Sequence, residues 1–340
     1  MGLFGFLTQE IAIDLGTANT VIIHNDRVVV DEPSIIAIKQ NTGDVMAIGK
    51  LAMMMHGKTH EGIRTIRPLK NGVIADFNAA EHMIRGMIKM MYQKKKWFIP
   101  SLRMVICIPS GITEVEKRAV KDSAEHSGGK EVYLIHEPMA AALGIGIDVE
   151  EPMGNMIVDI GGGTSDIAVI SLGGINCDRS IRIAGDNFTS DVEEYMRRQH
   201  NILIGERTAE RIKIEVGAAM PDIENPPPDF PVHGRDLITG IPKEIYVSSS
   251  EIAHCLDKSI AKIEEAILNA LENTPAELSA DIYRTGIYMT GGGALLRGID
   301  KRISLKTKLP VHIADDPLRA VARGTGIALK NVDRFPFIIK

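Results

Sequence analysis

The chain twice places an aspartate at the start of a glycine-bearing polar turn. "EIAIDLGTANTVII" spans Glu10–Ile23 and "NMIVDIGGGTSDIAVI" spans Asn155–Ile170. Asp14 lines up with Asp159 and Gly16 with Gly161, at an offset of 145 residues, and Thr20 falls near Thr164 and Ser165. Each stretch is apolar, then polar and glycine-rich, then apolar again, which predicts strand, turn and strand. Such a turn presents several backbone N–H groups to one side, glycine lets the main chain approach a bulky anion, and hydroxyls add donors. That chemistry suits a phosphate. The carboxylate before each turn would repel a phosphate directly, but it can hold Mg2+, through water because this ion keeps much of its hydration shell. One such turn alone reads as a plain hairpin. Two acids at the same place in two repeats are not explained by turn chemistry, and two facing hairpins would grip a di- or triphosphate from both sides.

A third glycine turn, "TGGGALLRG" (Thr290–Gly298), sits between an expected strand and helix, where it is either a tight connection or a further anion or ligand edge. Glu137 is the candidate for chemistry. It ends the strand "EVYLIHEP" and precedes Pro138 and a helix, so it can orient or deprotonate a water attacking a terminal phosphate. It can equally serve as an acid favouring the helix N-terminus. Thr164, in the second turn, can hydrogen-bond the same water. His136 reads as structural. No GxxxxGK[ST] loop occurs, which excludes the classical P-loop, and no complete GxGxxG opens a helix after a strand, which counts against the dinucleotide fold.

The elements that must carry these residues follow one scheme twice: antiparallel hairpins, then strand and helix in alternation. This is an internal duplication and not a short-period solenoid. It predicts an α/β protein of two similar domains with a hairpin from each pointing into a cleft. A length of 340 residues agrees with about two domains. "TEVEKRAVKDSAEHSGG" predicts a helix with Thr113 and Glu116 as a capping box. "FNAAEHMIRGMIKMMYQ" predicts a core-facing helix capped by Asn78. A proline-rich loop is expected at 226–228, a long helix over 250–271, and a last helix from Pro317.

Bulk properties exclude several classes. The net charge of −5 gives no basic field for nucleic acid. Three dispersed cysteines with no Cys/His cluster argue against zinc and for a reducing compartment. No apolar run is long enough to span a bilayer and no signal peptide is legible, so the expected location is cytoplasmic. Two stretches hint at a membrane surface. Leu3, Phe4, Phe6 and Leu7 crowd the N-terminus, as a packed tail or as a short anchor. In "KKKWFIP", Trp97 and Phe98 follow three lysines, as a solvated basic turn with Trp97 in the core or as a contact with an anionic bilayer, where each lysine is worth about 1 kcal/mol.

Together these motifs resemble those of the actin-like ATPases, which include actin, sugar kinases and heat-shock chaperones. "IDLGTANT", "DEPSIIAI", "IRPLKNGVIADF", "IPSGITEVEKRAV", "HEPMAAALGIG", "DIGGGTSDIAVI" and "MTGGGALLRG" most closely resemble the MreB branch, bacterial actin homologues that direct cell shape. The resemblance covers nearly the whole chain. It implies an actin-like (ribonuclease H-like, duplicated) fold with ATP in the cleft. One domain would hold 1–145, with an outer subdomain at about 32–65 and a C-terminal helix 316–340 packing back on it. The other would hold 146–315, with an outer subdomain at about 183–244. By resemblance, Thr17, Ala18 and Asn19 belong to the first phosphate loop, and Gly161, Gly162 and Gly163 to the second. Glu210, Lys213, Gly291 and Gly292 would flank the adenosine. Glu137 and Thr164 match the pair assigned to hydrolysis, and Asp14 and Asp159 the acids beside Mg2+. The resemblance further implies paired protofilaments, attachment to the inner face of the cell membrane through the apolar stretches above, and cell-wall elongation proteins as partners. A chaperone-like ATPase and a small-molecule kinase of the same superfamily are the alternatives.

Overall fold

The computed structural model of the chain describes residues 8–92 and 101–340. Its frame is a pair of five-stranded sheets with one topology. In the first, strands lie in the order Arg27–Pro33, Asn19–His24, Thr8–Leu15, Ser101–Ile108 and Gly129–His136. In the second the order is Gly174–Ile181, Ser165–Ser171, Asn155–Ile160, Ile287–Thr290 and Val311–Ile313. Each has three antiparallel strands, with two more added in parallel beside Thr8–Leu15 or Asn155–Ile160. The registers repeat as well. Asp14 stands opposite Val21 and Asp159 opposite Asp166, and the flanking pairs Leu15–Thr20 and Ile160–Ser165 close both hairpins over turns of equal length. Thr20 therefore matches Ser165, and Asn19 matches Thr164. The strands of the second hairpin are buried along their whole length, in line with their near-continuous apolar sequence.

Smaller sheets extend each half. Val45–Ile48, Ile36–Lys39 and Ile63–Ile66 form one beside the helix Lys50–Met55. Ile202–Leu203, Phe230–Asp236 and Pro242–Val247 form the other, near the helices Gly185–His200 and Glu206–Val216. The strands at 230–247 are hidden in the sequence by their prolines. Pro231 stands opposite Tyr246 on one side only, since Ile202–Leu203 pairs with Asp236 and Arg235 and leaves the start of the strand an edge.

The caps explain where several helices begin. Thr113 and Glu116 form the expected box, the Glu116 N–H donating to the Thr113 hydroxyl and the Thr113 N–H to the Glu116 carboxylate at 2.8 Å. Helix Phe77–Met90 is capped by Asp76 and not Asn78: its carboxylate accepts from the Ala79 N–H at 3.0 Å. The long helix runs Ser249–Glu272. The last helix is shorter than the sequence suggests, Ala320–Lys330, preceded by a 3-10 turn at Pro317–Arg319. Beyond it the chain turns, and Ile339 exchanges backbone hydrogen bonds with Leu134 at the sheet edge.

Helix Glu137–Gly144, which starts at the candidate acid, crosses helix Ala320–Lys330 at a pair of glycines. A Cβ on Gly324 would fall 1.6 Å from the Ala140 carbonyl oxygen, and one on Gly144 would fall 1.8 Å from that of Ala320. The two backbones touch, and no side chain fits between them. Helix propensity favours alanine over glycine by about 1 kcal/mol, so Gly324→Ala tests which effect wins. Chemical denaturation is expected to give a net loss of about 1–3 kcal/mol from overpacking. Gly174→Ala, where the nearest atom lies 3.7 Å away, serves as a control and is expected to stay within about 0.5 kcal/mol of the parent.

Candidate functional site

The two hairpin turns meet across the space between the sheets. A Cβ on Gly162 would lie 2.8 Å from the Ala18 Cβ, so glycine is what lets the turns approach. Gly163 sits against Thr17 and the turn at 71–72, and the Thr17 hydroxyl accepts from the Gly72 N–H at 3.0 Å. The turns line a cavity of about 580 Å3. Residues 16–19 and 161–164 form part of its wall, with Asp14 and Asp159 at the ends of their strands and Glu137 at the start of its helix. Glu210, Lys213, Gly291 and Gly292 line it too. All the cleft residues singled out in the sequence are thus brought together. Leu3, Phe4, Phe6, Leu7, Trp97 and Phe98 lie outside the described residues.

Local structure fixes the wall. Lys213, from helix Glu206–Val216, pairs with Glu210 at 2.6 Å and donates to the Gly185 carbonyl at 3.0 Å. The Thr189 hydroxyl donates to Glu210 at 2.6 Å. Gly291 has φ +80°, and a Cβ there would lie 2.3 Å from the Ile160 carbonyl oxygen, so the third turn rests on the second hairpin. That turn leads into a 3-10 segment, Gly292–Leu295, and the α-helix begins only at Ile299. Phe188, Ile214, Leu295 and Leu318 add apolar wall, which suits a planar base.

Side chains that motif reading had passed over also shape the cleft. Arg67, Asp186 and Glu206 line it. Glu206 accepts from Arg67 at 2.5 Å and pairs with His56 at 2.9 Å, a contact between residues 139 and 150 positions apart that bridges the two halves. The His56 bond and Arg67 hold the Glu206 carboxyl down at about 2. Asp166 is fully buried, and its Oδ1 accepts from both the N–H and the hydroxyl of Ser110, at 2.9 and 3.0 Å. The only sign of Asp166 in the sequence is its place in the second hairpin, where the first carries Val21. His136 faces the Pro109 carbonyl at 3.4 Å and burial lowers its pKa, in keeping with a structural part.

Acids dominate the electrostatics. The cavity is lined by Asp14, Glu137, Asp159, Asp186, Glu206 and Glu210 against Arg67, Lys213 and Arg297. Burial pushes Asp159 up to about 7, with Asp166 and Asp14 adding repulsion and the Thr290 hydroxyl opposing it. Burial raises Asp14 to about 6, eased by the Cys107 thiol. Glu137 is driven well above its ordinary value by burial and by Asp166, Asp159 and Asp14. Desolvation likewise pushes the neighbouring Cys107 thiol well up. A polyphosphate would be repelled here unless a cation came with it. Among the described residues no three acids, histidines or cysteines are grouped to chelate a metal directly. Asp14 and Asp159, both lining the cavity, are the kind of carboxylate pair that fits a hydrated Mg2+, which takes one or two carboxylates and keeps several waters.

Comparison with known proteins places this geometry. The family model described as MreB/Mbl protein matches residues 8–336. The chain belongs to the MreB/Mbl family. It is 47% identical to the cell shape-determining protein Mbl of Bacillus subtilis (strain 168) over 329 residues, 96% of this chain and 98% of that one. The crystal structure of MreB5 of Spiroplasma citri bound to AMPPNP superposes with a TM-score of 0.90 at 41% identity, covering 96% of this chain and 97% of that one. The MamK double helical filament, 18% identical, matches with a TM-score of 0.80 over 97% of this chain and all of that one, a likeness of fold. The fold is actin-like. No helix among the described residues is long and apolar enough to cross a membrane.

The crowded acids make stability depend on pH. An unfolded Asp159 ionises near 3.8 and the folded one near 7. Between those values the folded state keeps a proton that the unfolded state has lost. Stability therefore falls as pH rises from about 4 to 7, by at most about 4 kcal/mol from this group. The ligand-free protein is expected to melt at a higher temperature at pH 5.5 than at pH 8. Asp159→Asn is expected to flatten that slope and raise the melting temperature at pH 8. Equal slopes in thermal scans of the two proteins would contradict this account.

Proposed function

We propose that this protein is an ATP-dependent, actin-like filament protein that helps set cell shape from the inner face of the cell membrane. The observation that carries the reading is the pair of duplicated hairpin turns facing each other across an acid-rich cavity. Family membership and the AMPPNP-bound MreB5 of Spiroplasma citri support it. The family match spans 8–336 and lends nothing to a chaperone-like or kinase reading.

The backbone N–H groups of residues 16–19 and 161–164 take the phosphates, and Glu210, Lys213, Gly291 and Gly292 flank the nucleoside. Asp14 and Asp159 would hold a hydrated Mg2+, which offsets phosphate charge when bound. Burial and three neighbouring acids disfavour the charge of Glu137 in the ligand-free cleft and raise its pKa well above the ordinary value. As a carboxylate it accepts a hydrogen bond from the attacking water, and Thr164 orients that water from the opposite turn. Because the turns belong to different halves, a ligand held by both favours one closed arrangement. That arrangement assembles head to tail into paired protofilaments, and slow hydrolysis weakens them. Leu3, Phe4, Phe6, Leu7, Trp97 and Phe98 supply the apolar contact with anionic lipid, and the filaments position the wall-elongation machinery.

Electron microscopy of the purified protein on anionic lipid, with ATP and Mg2+ and without nucleotide, tests this reading. Nucleotide-dependent filaments lying on the lipid are expected. Protein that binds ATP yet stays monomeric on and off lipid would overturn it. Glu137→Gln is expected to retain filaments while phosphate release falls about 100-fold. Trp97→Ala and deletion of residues 2–7 are each expected to reduce lipid binding in vesicle co-sedimentation.

A further inference from the structure

The duplication extends one strand beyond the hairpins. Thr8–Leu15 pairs in parallel with Ser101–Ile108, and Ile13 stands opposite Ile106, which sets Cys107 beside Asp14. Asn155–Ile160 pairs in parallel with Ile287–Thr290, and Asp159 stands opposite Thr290. The two neighbours thus occupy one position of the repeated fold. Each is buried, and each donates to the same oxygen of its aspartate. The Cys107 Sγ lies 3.2 Å from Asp14 Oδ1, and the Thr290 Oγ1 lies 2.8 Å from Asp159 Oδ1. A strand residue placed only for packing needs no donor atom, and apolar side chains fill the positions just before, Val105 and Ile106 in one strand and Met289 in the other.

We propose that Cys107 and Thr290 are a matched pair of positioning residues that each pin one oxygen of a cleft aspartate and leave the other to face a hydrated divalent cation. The proposal rests on the Mg2+–nucleotide reading of the cleft. A carboxylate acting through the water shell of an ion must point accurately, since each bond runs through a water. Pinning one oxygen removes the rotation that would blur that direction, as hydrogen-bonded outer partners do for metal ligands generally. The pair is unequal. A thiol is a weaker donor than a hydroxyl, so Asp14 is the more loosely held of the two. Neither residue touches the nucleotide or the attacking water in this scheme.

The test compares ATP affinity by calorimetry in Mg2+ and in EDTA, and reads the ratio of the two. Thr290→Val keeps the shape and removes the donor, and the Mg2+ gain is expected to fall about tenfold or more. Cys107→Val is expected to lower it less. Thr290→Ser and Cys107→Ser restore a hydroxyl and are expected to match or exceed the parent, an outcome that loss of packing would not produce. The inference is overturned if the valine variants keep the parent's ratio, or if the serine variants lose as much as the valine ones. If a valine variant does not fold, the serine variants decide, since a ratio well below the parent's in a folded serine variant also overturns it. A parent protein that binds ATP equally well with and without Mg2+ would instead overturn the cation reading, and this inference with it.

Discussion

Repulsion among carboxylates sunk between the two halves is the constraint around which the cleft is built. On top of burial, Asp166 and Asp14 raise the pKa of Asp159, and Asp166, Asp159 and Asp14 raise that of Glu137. A hydrophobic core would not place four acids together, because each uncompensated charge loses its hydration. What offsets the cost inside the chain is modest: a thiol on Asp14, a hydroxyl on Asp159 and two donors from Ser110 on Asp166. The rest of the architecture delivers the acids to this place. Two come from the ends of equivalent strands, one from the first turn of a helix and one from the far side of the second hairpin.

Duplication accounts for the symmetry of the arrangement, and the departures from it mark where the halves differ in duty. The sheets share strand order, direction and hairpin register. Val21 in one hairpin is replaced by Asp166 in the other, and Asn19 by Thr164. The first change adds to the second half a carboxylate that opposes the charge of Glu137, and the second exchanges an amide for a hydroxyl. The first half contributes Glu137 through the helix that follows Gly129–His136, whereas at the equivalent junction after Val311–Ile313 the second half carries Asp316 before Pro317, and that carboxylate pairs with Arg319 and Arg323. A gripping site can be symmetric, whereas a site that activates one water on one side of a phosphate cannot.

Much of the cleft was legible because it rests on local patterns. An acid before a glycine turn, repeated at a fixed offset, needs no tertiary information beyond the expectation that repeats face each other. The capping box at Thr113 was legible for the same reason. What escaped is non-local. Arg67, Asp186 and Glu206 enter the cleft from the loop and helices that frame it, and nothing in their neighbours' types indicates where those elements fold. Cys107 and Thr290 acquire meaning only from parallel pairing, since residues more than 90 positions from Asp14 and more than 130 from Asp159 are set beside them by strand register. The strands at 230–247 were lost for a different reason. Proline argues against a strand unless one knows which edge its missing N–H faces.

The contacts that bridge the halves differ in kind between the base and the mouth of the cleft. At the base, helices Glu137–Gly144 and Ala320–Lys330 touch backbone to backbone within the first half, and the apolar cluster around them draws residues from both sheets, Ala12 and Val105 from one and Ile157 and Ala168 from the other. Such a contact tolerates little change in spacing, because the core around it is close-packed. Further out the bridges are polar: Glu206 with His56 and Arg67, and Glu116 with Arg182 at 3.4 Å. These side chains are partly exposed, and ion pairs in that setting are weak and salt-sensitive. The halves are thus joined by close apolar packing at the base and by exposed ion pairs toward the mouth. Residues 16–19 and 161–164 reach into the cavity from either side, and Glu137 lines it from the start of its helix.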